Sequence, residues 1–284
     1  MQQTENDMAR TPKAQALGVA LRRAREKGGL TTRDMADRTG RNHGEISRWE
    51  TGDRTPKPEY VAQILATLGI VGKPYDEIMS LTYDTTAPLW VASTLPAQRQ
   101  QLAAIVEMEQ RAVAITDVVP SFVPGLLQTR DYAHAIMSGG GLTPDEIETR
   151  VSIRMERQDV ITRANPARLT AFIGEAAIYQ FIGDQSVTVA QLRHLLKMAQ
   201  LRNVALRVMP FDMGWHPGIE GAFKLVWPRD SAPIVHVELR RTTLFLHEDD
   251  DVNAYREALG MIDKVALAPE SSIKLITARM ESLS

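Results

Sequence analysis

The sequence predicts an α+β protein in two parts: a small all-helical N-terminal domain of five helices, then a larger α+β domain with a mainly antiparallel sheet. Three observations carry this. Apolar residues recur at helical spacing in five short segments between residues 15 and 82, punctuated by Gly, Pro and capping residues. Residues 83–96, YDTTAPLWVASTLP, lose that period and carry two prolines, which places a linker there. Beyond it, helical stretches are interleaved with short runs rich in β-branched and aromatic residues.

The elements follow in order. Residues 1–14 read as a flexible tail. Leu17, Ala20, Leu21 and Ala24 form one buried helical stripe, which Gly28-Gly29 ends. Thr31 suits the cap of a second helix that turns Met35 and Ala36 inward and closes at Gly40. Asn42 suits the cap of a third, with Ile46 and Trp49 on one side. Val61, Ile64, Leu65 and Leu68 make a fourth stripe with Pro58 in its opening turn. Lys73-Pro74 opens a fifth helix, expected to bury Tyr75, Ile78 and Met79. Each helix is too short to stand alone, so packing must hold the set.

After the linker, where Trp90 is expected to dock on one of the domains, the larger domain runs over 97–284. A long helix is predicted at 97–117, with others at 129–138, 144–162, 187–200, 250–267 and 270–282. LTAFI (169–173), VALRVM (204–209), GAFKLVW (221–227), PIVHVEL (233–239) and TTLFLH (242–247) read as strands. Hairpin-length connections between the last three favour antiparallel pairing.

Composition limits the function classes. The 284 residues, 44% of them hydrophobic, suffice for two cores. The absence of Cys excludes disulfides, thiolate metal sites and thiol nucleophiles, and fits a cytoplasmic setting. The polar opening MQQTENDMARTPK lacks a signal-peptide pattern. No apolar run approaches the roughly twenty residues of a membrane span. The formal net charge is −2, but residues 10–60 hold twelve Lys/Arg against seven Asp/Glu, so a basic module sits on an acidic remainder.

The stretch RNHGEISRWETGDRTPKP (41–58) carries the most specific chemistry. With Ile46 and Trp49 buried, His43, Gly44, Ser47 and Arg48 fall on the opposite or flanking faces of the third helix. Two helices joined through Gly40 can set the second in a DNA major groove about 12 Å wide. Asn42 and the free N–H groups of that helix start suit a phosphate oxygen. His43, Glu45 and Ser47 come within reach of base edges, Glu45 as acceptor for a cytosine amino group. Arg48, Arg54 and Lys57 offer phosphate contacts. The other reading is a small helical interaction domain with a solvated polar face.

LTTRDMADRTGRNHGEISRWETGDRTPKP resembles the helix-turn-helix of the lambda-repressor-like, xenobiotic-response-element regulators, and the resemblance covers 15–82. It implies five helices, with Thr32–Thr39 as the positioning helix and Asn42–Glu50 as the recognition helix; double-stranded DNA is the expected partner and a homodimer the expected assembly. Thr32, Arg33 and Arg41 complete the expected contact set. Thr32 stands where the family often has Gln; its hydroxyl can bond a phosphate but cannot brace a base-reading side chain. The resemblance makes Glu50 structural, paired with Arg22 or Arg25.

The remainder also resembles a family. VPGLLQTRDYA (123–133), RMERQ (154–158), IGEAAIYQFIG (173–183), QLRHLL (191–196), VALRVMPFDMGWHPGIEGAF (204–223) and the APESS-plus-helix end (268–282) look like the C-terminal domain of a large actinobacterial set of such regulators. Members are described as transcriptional or antitoxin-like regulators, often encoded beside a small partner protein. That implies a regulatory or partner-binding role and no particular chemistry.

Within this part three features stand out. Leu126 and Leu127 of VPGLLQT either insert into a groove or fill the domain's own core. Arg150, Arg154 and Arg157 form a basic helical stripe that either holds an anionic ligand or acidic partner, or is a solvated face paired with Glu146 and Glu156. The loop FDMGWHPGIEG (211–221), with Trp215 and His216, either lines a pocket or is a tight aromatic-pinned connection. Catalytic patterns fail on spacing: the histidines are scattered, Gly139–Gly141 lacks a following Lys-Ser/Thr, EDDD (248–251) sits at a helix start, and no G-x-S-x-G occurs. No metal, cofactor or enzymatic activity is expected. The leading expectation is a sequence-specific transcriptional regulator whose second domain dimerises, senses a signal or binds a partner. The alternative is an antitoxin-like module that binds a small partner protein and uses DNA for autoregulation. An enzyme with a DNA-targeting module has only Trp215-His216 behind it.

Overall fold

Thr11 accepts a hydrogen bond from the Ala14 N–H and caps α1 (Pro12–Lys27), so the first helix begins inside the segment expected to be a tail. The computed structural model describes residues 11–83, 85, 95–239 and 243–283. Residues 1–10 of the expected tail, Trp90 and most of the expected linker lie outside the described residues.

The chain divides into two compact units, one comprising residues 1–108 with 238–248, the other 109–237 with 249–284. In the first, α1 is followed by α2 (Thr32–Thr39), α3 (His43–Thr51), α4 (Pro58–Thr67) and α5 (Lys73–Met79). Leu17, Leu21, Met35, Ile46, Trp49, Val61, Ile64, Leu65 and Leu81 are buried, the apolar stripes closing on one another. Burying each such side chain is worth about 1.5–3 kcal/mol, which compensates for helices too short to persist alone. The fifth helix departs from expectation: Tyr75, Ile78 and Met79 are only half-buried. α6 (Leu95–Arg111) and a short strand, β6 (Thr243–Leu246), contribute to the same unit, where Gln101 Nε2 donates to the Thr243 carbonyl and Arg22 pairs with Glu107 at 2.7 Å.

The second unit is built on β1 (Ala112–Val119), β2 (Arg168–Gly174), β3 (Val204–Met209), β4 (Phe223–Pro228) and β5 (Ile234–Glu238), in the order β3-β2-β1-β4-β5. β1 pairs β2 and β2 pairs β3 in parallel, whereas β1–β4 and β4–β5 are antiparallel. The sheet is therefore mixed rather than mainly antiparallel. The main difference lies in β1, a stretch that the sequence pattern predicts as the end of the long helix 97–117. Its run AVAITDVV is β-branched at Val113, Ile115, Thr116, Val118 and Val119, and pairing on both edges makes it the central strand.

The helices α7 (Arg130–Ser138), α8 (Pro144–Arg157), α9 (Asp159–Thr162), α10 (Glu175–Tyr179), α11 (Gln185–Met198), α12 (Asp249–Val265) and α13 (Pro269–Glu281) surround it. The helix expected over 144–162 is thus broken at Gln158, and α10 was not foreseen. Ile262, Ala266, Tyr255 and Leu259 of α12 and its C-terminal end pack on Val118, Phe172, Met209 and Phe223 of the sheet. Asp249, Asp250 and Asp251 occupy the first turn of α12, where carboxylates offset the helix dipole.

Candidate nucleic-acid interface

The turn between α2 and α3 is set by local chemistry. Thr31 Oγ1 accepts from the Asp34 N–H while the Asp34 carboxylate accepts from the Thr31 N–H and hydroxyl, a reciprocal cap that holds Asp34 below the usual carboxylate range. Gly40 closes α2 in the left-handed region at φ 64°, which glycine adopts without steric cost. Two residues later Asn42 Oδ1 accepts from the Gly44 N–H at 2.7 Å, and the Glu45 carboxylate turns back toward the Asn42 N–H at 3.4 Å.

These caps bear on the expected contacts. Asn42 is exposed, but its side-chain oxygen already serves its own helix, so a phosphate would meet its N–H groups. Glu45 is half-buried and engaged in the cap, which argues for a part in ordering α3 beside any reading of a cytosine amino group. His43 and Arg48 are exposed and Ser47 half-buried on the face away from Ile46 and Trp49. A Cβ at Gly44 would lie 3.5 Å from Arg48 Nη1, so the Arg48 side chain runs back over the first turn of its own helix. Arg33 of α2 is exposed and Thr32 half-buried; Arg54 and Lys57, after α3, are exposed.

Arg41 is placed differently from a free phosphate clamp. Its guanidinium carbon lies 3.7 Å from the Tyr60 ring centroid, and Tyr60 also stacks on Trp49 at 5.6 Å with 19° between the planes. Tyr60 thus ties the residue before the recognition helix to that helix's buried face. The sequence reading missed Tyr60; the signal available was an aromatic in the first turn of α4. It also left out Gln63, whose Nε2 donates to the Thr39 carbonyl, and Arg38, exposed in the last turn of α2.

The back of α3 is fixed by α1. Arg25 Nε and Nη2 donate to the two Glu50 carboxylate oxygens at 2.6 and 2.7 Å, so of the two expected partners Glu50 takes Arg25. The hydrogen bonds to Glu50, with its charge and that of Glu26, hold the Arg25 guanidinium above its ordinary value despite burial. The α1–α3 contact is close enough that a Cβ on Gly18 would fall 2.6 Å from the Trp49 carbonyl oxygen.

In the second unit the motif residues turn inward. Leu126 and Leu127 are 0% exposed and so fill the core of their own unit rather than a groove. Arg154 Nη1 donates to Gln128 Oε1 at 2.8 Å, and Arg157 holds Glu109 through two bonds of 2.7 and 2.8 Å. Arg154 and Arg157 thus turn to Gln128 and Glu109 of their own unit, Arg150 is exposed, and Glu146 caps α8 with Thr143. Gln128, Gln158 and Gln191 bond the backbone of Val123, Gln128 and Leu127, so residues of three separate motifs converge on the 123–129 turn.

Glu109 also accepts from Lys224 Nζ at 2.6 Å, and Lys224 lies 3.2 Å from Asp117. All four charges are largely removed from water: Arg157 and Lys224 hold the fully buried Glu109 carboxyl well below the usual range, while burial pushes Asp117 up. None of Glu109, Asp117 and Lys224 was singled out from sequence. On the 211–221 loop Trp215 is 66% exposed and His216 only 4%. No group of three or more His, Asp or Glu that could hold a metal occurs among the described residues, and none of their helices is long and apolar enough to cross a membrane.

Two short helices joined by a capped turn, with basic and polar side chains on the outer face of the second, define a helix-turn-helix regulator of the DNA-binding class. The family model for a helix-turn-helix domain matches residues 16–77. The model named Domain of unknown function (DUF5753) matches residues 102–278, and the chain belongs to that family. No curated protein matches the chain.

Proposed function

We propose that the protein is a sequence-specific transcriptional regulator of the xenobiotic-response-element type, working in the cytoplasm as a homodimer with α3 in the major groove. The observation that carries this is the outward face of α3: His43, Ser47 and Arg48 stand clear of the core, beside a helix N-terminus able to receive phosphate, with Arg33, Arg54 and Lys57 exposed around them. The buried Arg25–Glu50 pair and the Tyr60 stack hold this helix rigidly enough to present those side chains in register. The second unit serves dimerisation, partner binding or signal sensing, and no catalytic role is proposed for it.

Selecting genomic fragments with the purified full-length protein tests this reading. The expected result is an enriched inverted repeat whose half-sites lie about 34 Å apart or a multiple of it. Equal recovery of all fragments at every salt concentration would overturn it. A second reading, an antitoxin-like module that binds a small partner and uses DNA for autoregulation, is favoured by one observation: the exposed aromatic loop of the second unit.

A further inference from the structure

The loop between β3 and β4 inverts the usual order of burial. Trp215 is 66% exposed while the adjacent His216 is 4% exposed, its Nδ1 without a hydrogen-bond partner. Turning the ring with less to gain from burial inward, and the larger apolar one outward, forfeits hydrophobic stabilisation. The arrangement is not slackness. A Cβ on Gly218 would fall 2.6 Å from Met209 Sδ and 2.9 Å from His216 Nδ1, so the loop base is packed without spare room. Phe211 N–H donates to Glu175 Oε2 at 2.9 Å, tying the loop start to α10.

Trp215 is not alone. Phe211, Met213 and Ile219 of the same loop, with Tyr179 at the end of α10 and Phe181 after it, are exposed as well. Tyr179 and Phe211 have ring centroids 6.5 Å apart, and the Arg279 guanidinium carbon lies 5.0 Å from the Tyr179 ring and 5.6 Å from that of Phe181. Side chains of this size, grouped and held outward on a pinned loop, mark an interaction surface. The charge around them selects the partner. Residues 211–221 contain Asp212 and Glu220, both exposed, and no Lys or Arg; the one cation described against these rings, Arg279, lies on Tyr179 and Phe181, so the acidic rim belongs to the loop. Burial, with the charges of Asp251 and Glu220, holds the Tyr255 hydroxyl above its ordinary value.

We propose that this surface docks a protein segment that alternates large apolar side chains with Lys or Arg. The proposal rests on the reading of the second unit as a partner-binding domain and adds which face it uses and what chemistry it accepts. Apolar side chains of the segment pack against Phe211 and Trp215, and its cations meet Asp212 and Glu220 at the rim. Because the loop is preformed, little ordering opposes docking.

The test uses the full-length protein and three synthetic twelve-residue peptides, alternating Leu/Lys, Leu/Glu and Ser/Lys, with binding followed by fluorescence anisotropy of labelled peptide. The Leu/Lys peptide is expected to bind at least about tenfold more tightly than either other peptide. The Phe211→Ala/Trp215→Ala double variant and the Asp212→Asn/Glu220→Gln double variant should each weaken it about tenfold or more. Equal binding of Leu/Glu, absence of Leu/Lys binding, or Leu/Lys binding indifferent to both variants overturns the proposal. So does self-association of the wild type that the aromatic variant abolishes, since the face would then belong to a second copy. All variants lie outside the helix-turn-helix and are exposed; an unchanged thermal melt verifies folding, and retention of operator binding in the same preparations separates failure here from failure of the DNA-binding reading.

Discussion

Arg25 of α1 and Glu50 of α3 form a two-pronged ion pair in which both side chains are about nine-tenths buried. It joins the scaffold helix to the last turn of the recognition helix. Removing one partner of such a pair leaves the other charge buried and uncompensated, which costs about 3–5 kcal/mol. Glu50→Ala is therefore expected to destabilise the first unit by that order, and Arg25→Met/Glu50→Leu to recover much of the loss. Urea unfolding followed by Trp fluorescence measures both.

Gly18 and Gly260 make a contrasting pair. A methyl at Gly18 meets the Trp49 and Glu50 carbonyl oxygens at 2.6 and 2.8 Å, whereas nothing lies within 4 Å of one at Gly260. Gly18→Ala should cost about 1–3 kcal/mol by forcing α1 from α3, and weaken operator binding with it. Gly260→Ala, inside α12, should stabilise by about 0.5–1 kcal/mol through helix propensity. Thermal melts of the two variants should move in opposite directions.

On α3 the two kinds of contact should separate. Arg48→Ala is expected to weaken binding to every duplex and lower the salt slope by about one. His43→Ala should instead relax preference at one base pair, by about 1–3 kcal/mol. Asn42→Ala should act through the helix itself, since loss of the cap costs about 1 kcal/mol of stability. Titrations against a panel of single-base operator variants at several salt concentrations distinguish the three.

Glu109 predicts an acid-side pH dependence. Its folded-state acidity is strengthened by Arg157 and Lys224, so its contribution is present above the ordinary value of 4.5 and is lost as pH falls through the lower folded value. Asp117 has the opposite sign: burial raises it, and its contribution is present below 3.8 and lost as pH rises. Glu109→Gln should lower stability at neutral pH by about 3–5 kcal/mol and flatten the decline below pH 4.5. Asp117→Asn should cost less at neutral pH and steepen that decline. Denaturation curves at a series of pH values check both slopes.

Much of the first unit was legible because its signals are local. Thr31, Gly40 and Asn42 announce helix ends within three or four residues of the groups they satisfy, and Pro58 and Pro74 do the same for α4 and α5. The Arg25–Glu50 pairing was narrowed to two candidates by family resemblance rather than by spacing. β1 was hidden because Arg111-Ala112 offers no Gly or Pro to end a helix, and only partners at 168–173 and 223–228 make it a strand. Arg154 and Arg157 look like a surface stripe by period, yet their partners Gln128 and Glu109 lie 26 and 48 residues away. Lys224 lies 115 residues from Glu109, beyond any local pattern.

Asp117 and Lys224 sit directly opposite each other in the β1–β4 ladder. Apolar alternation alone tolerates a slip of two residues, because every side chain keeps its face. Such a slip would set Lys224 against Ile115 or Val119 and strand an ammonium in a dry interior, so the buried charges act as a key that admits a single alignment of the central strands.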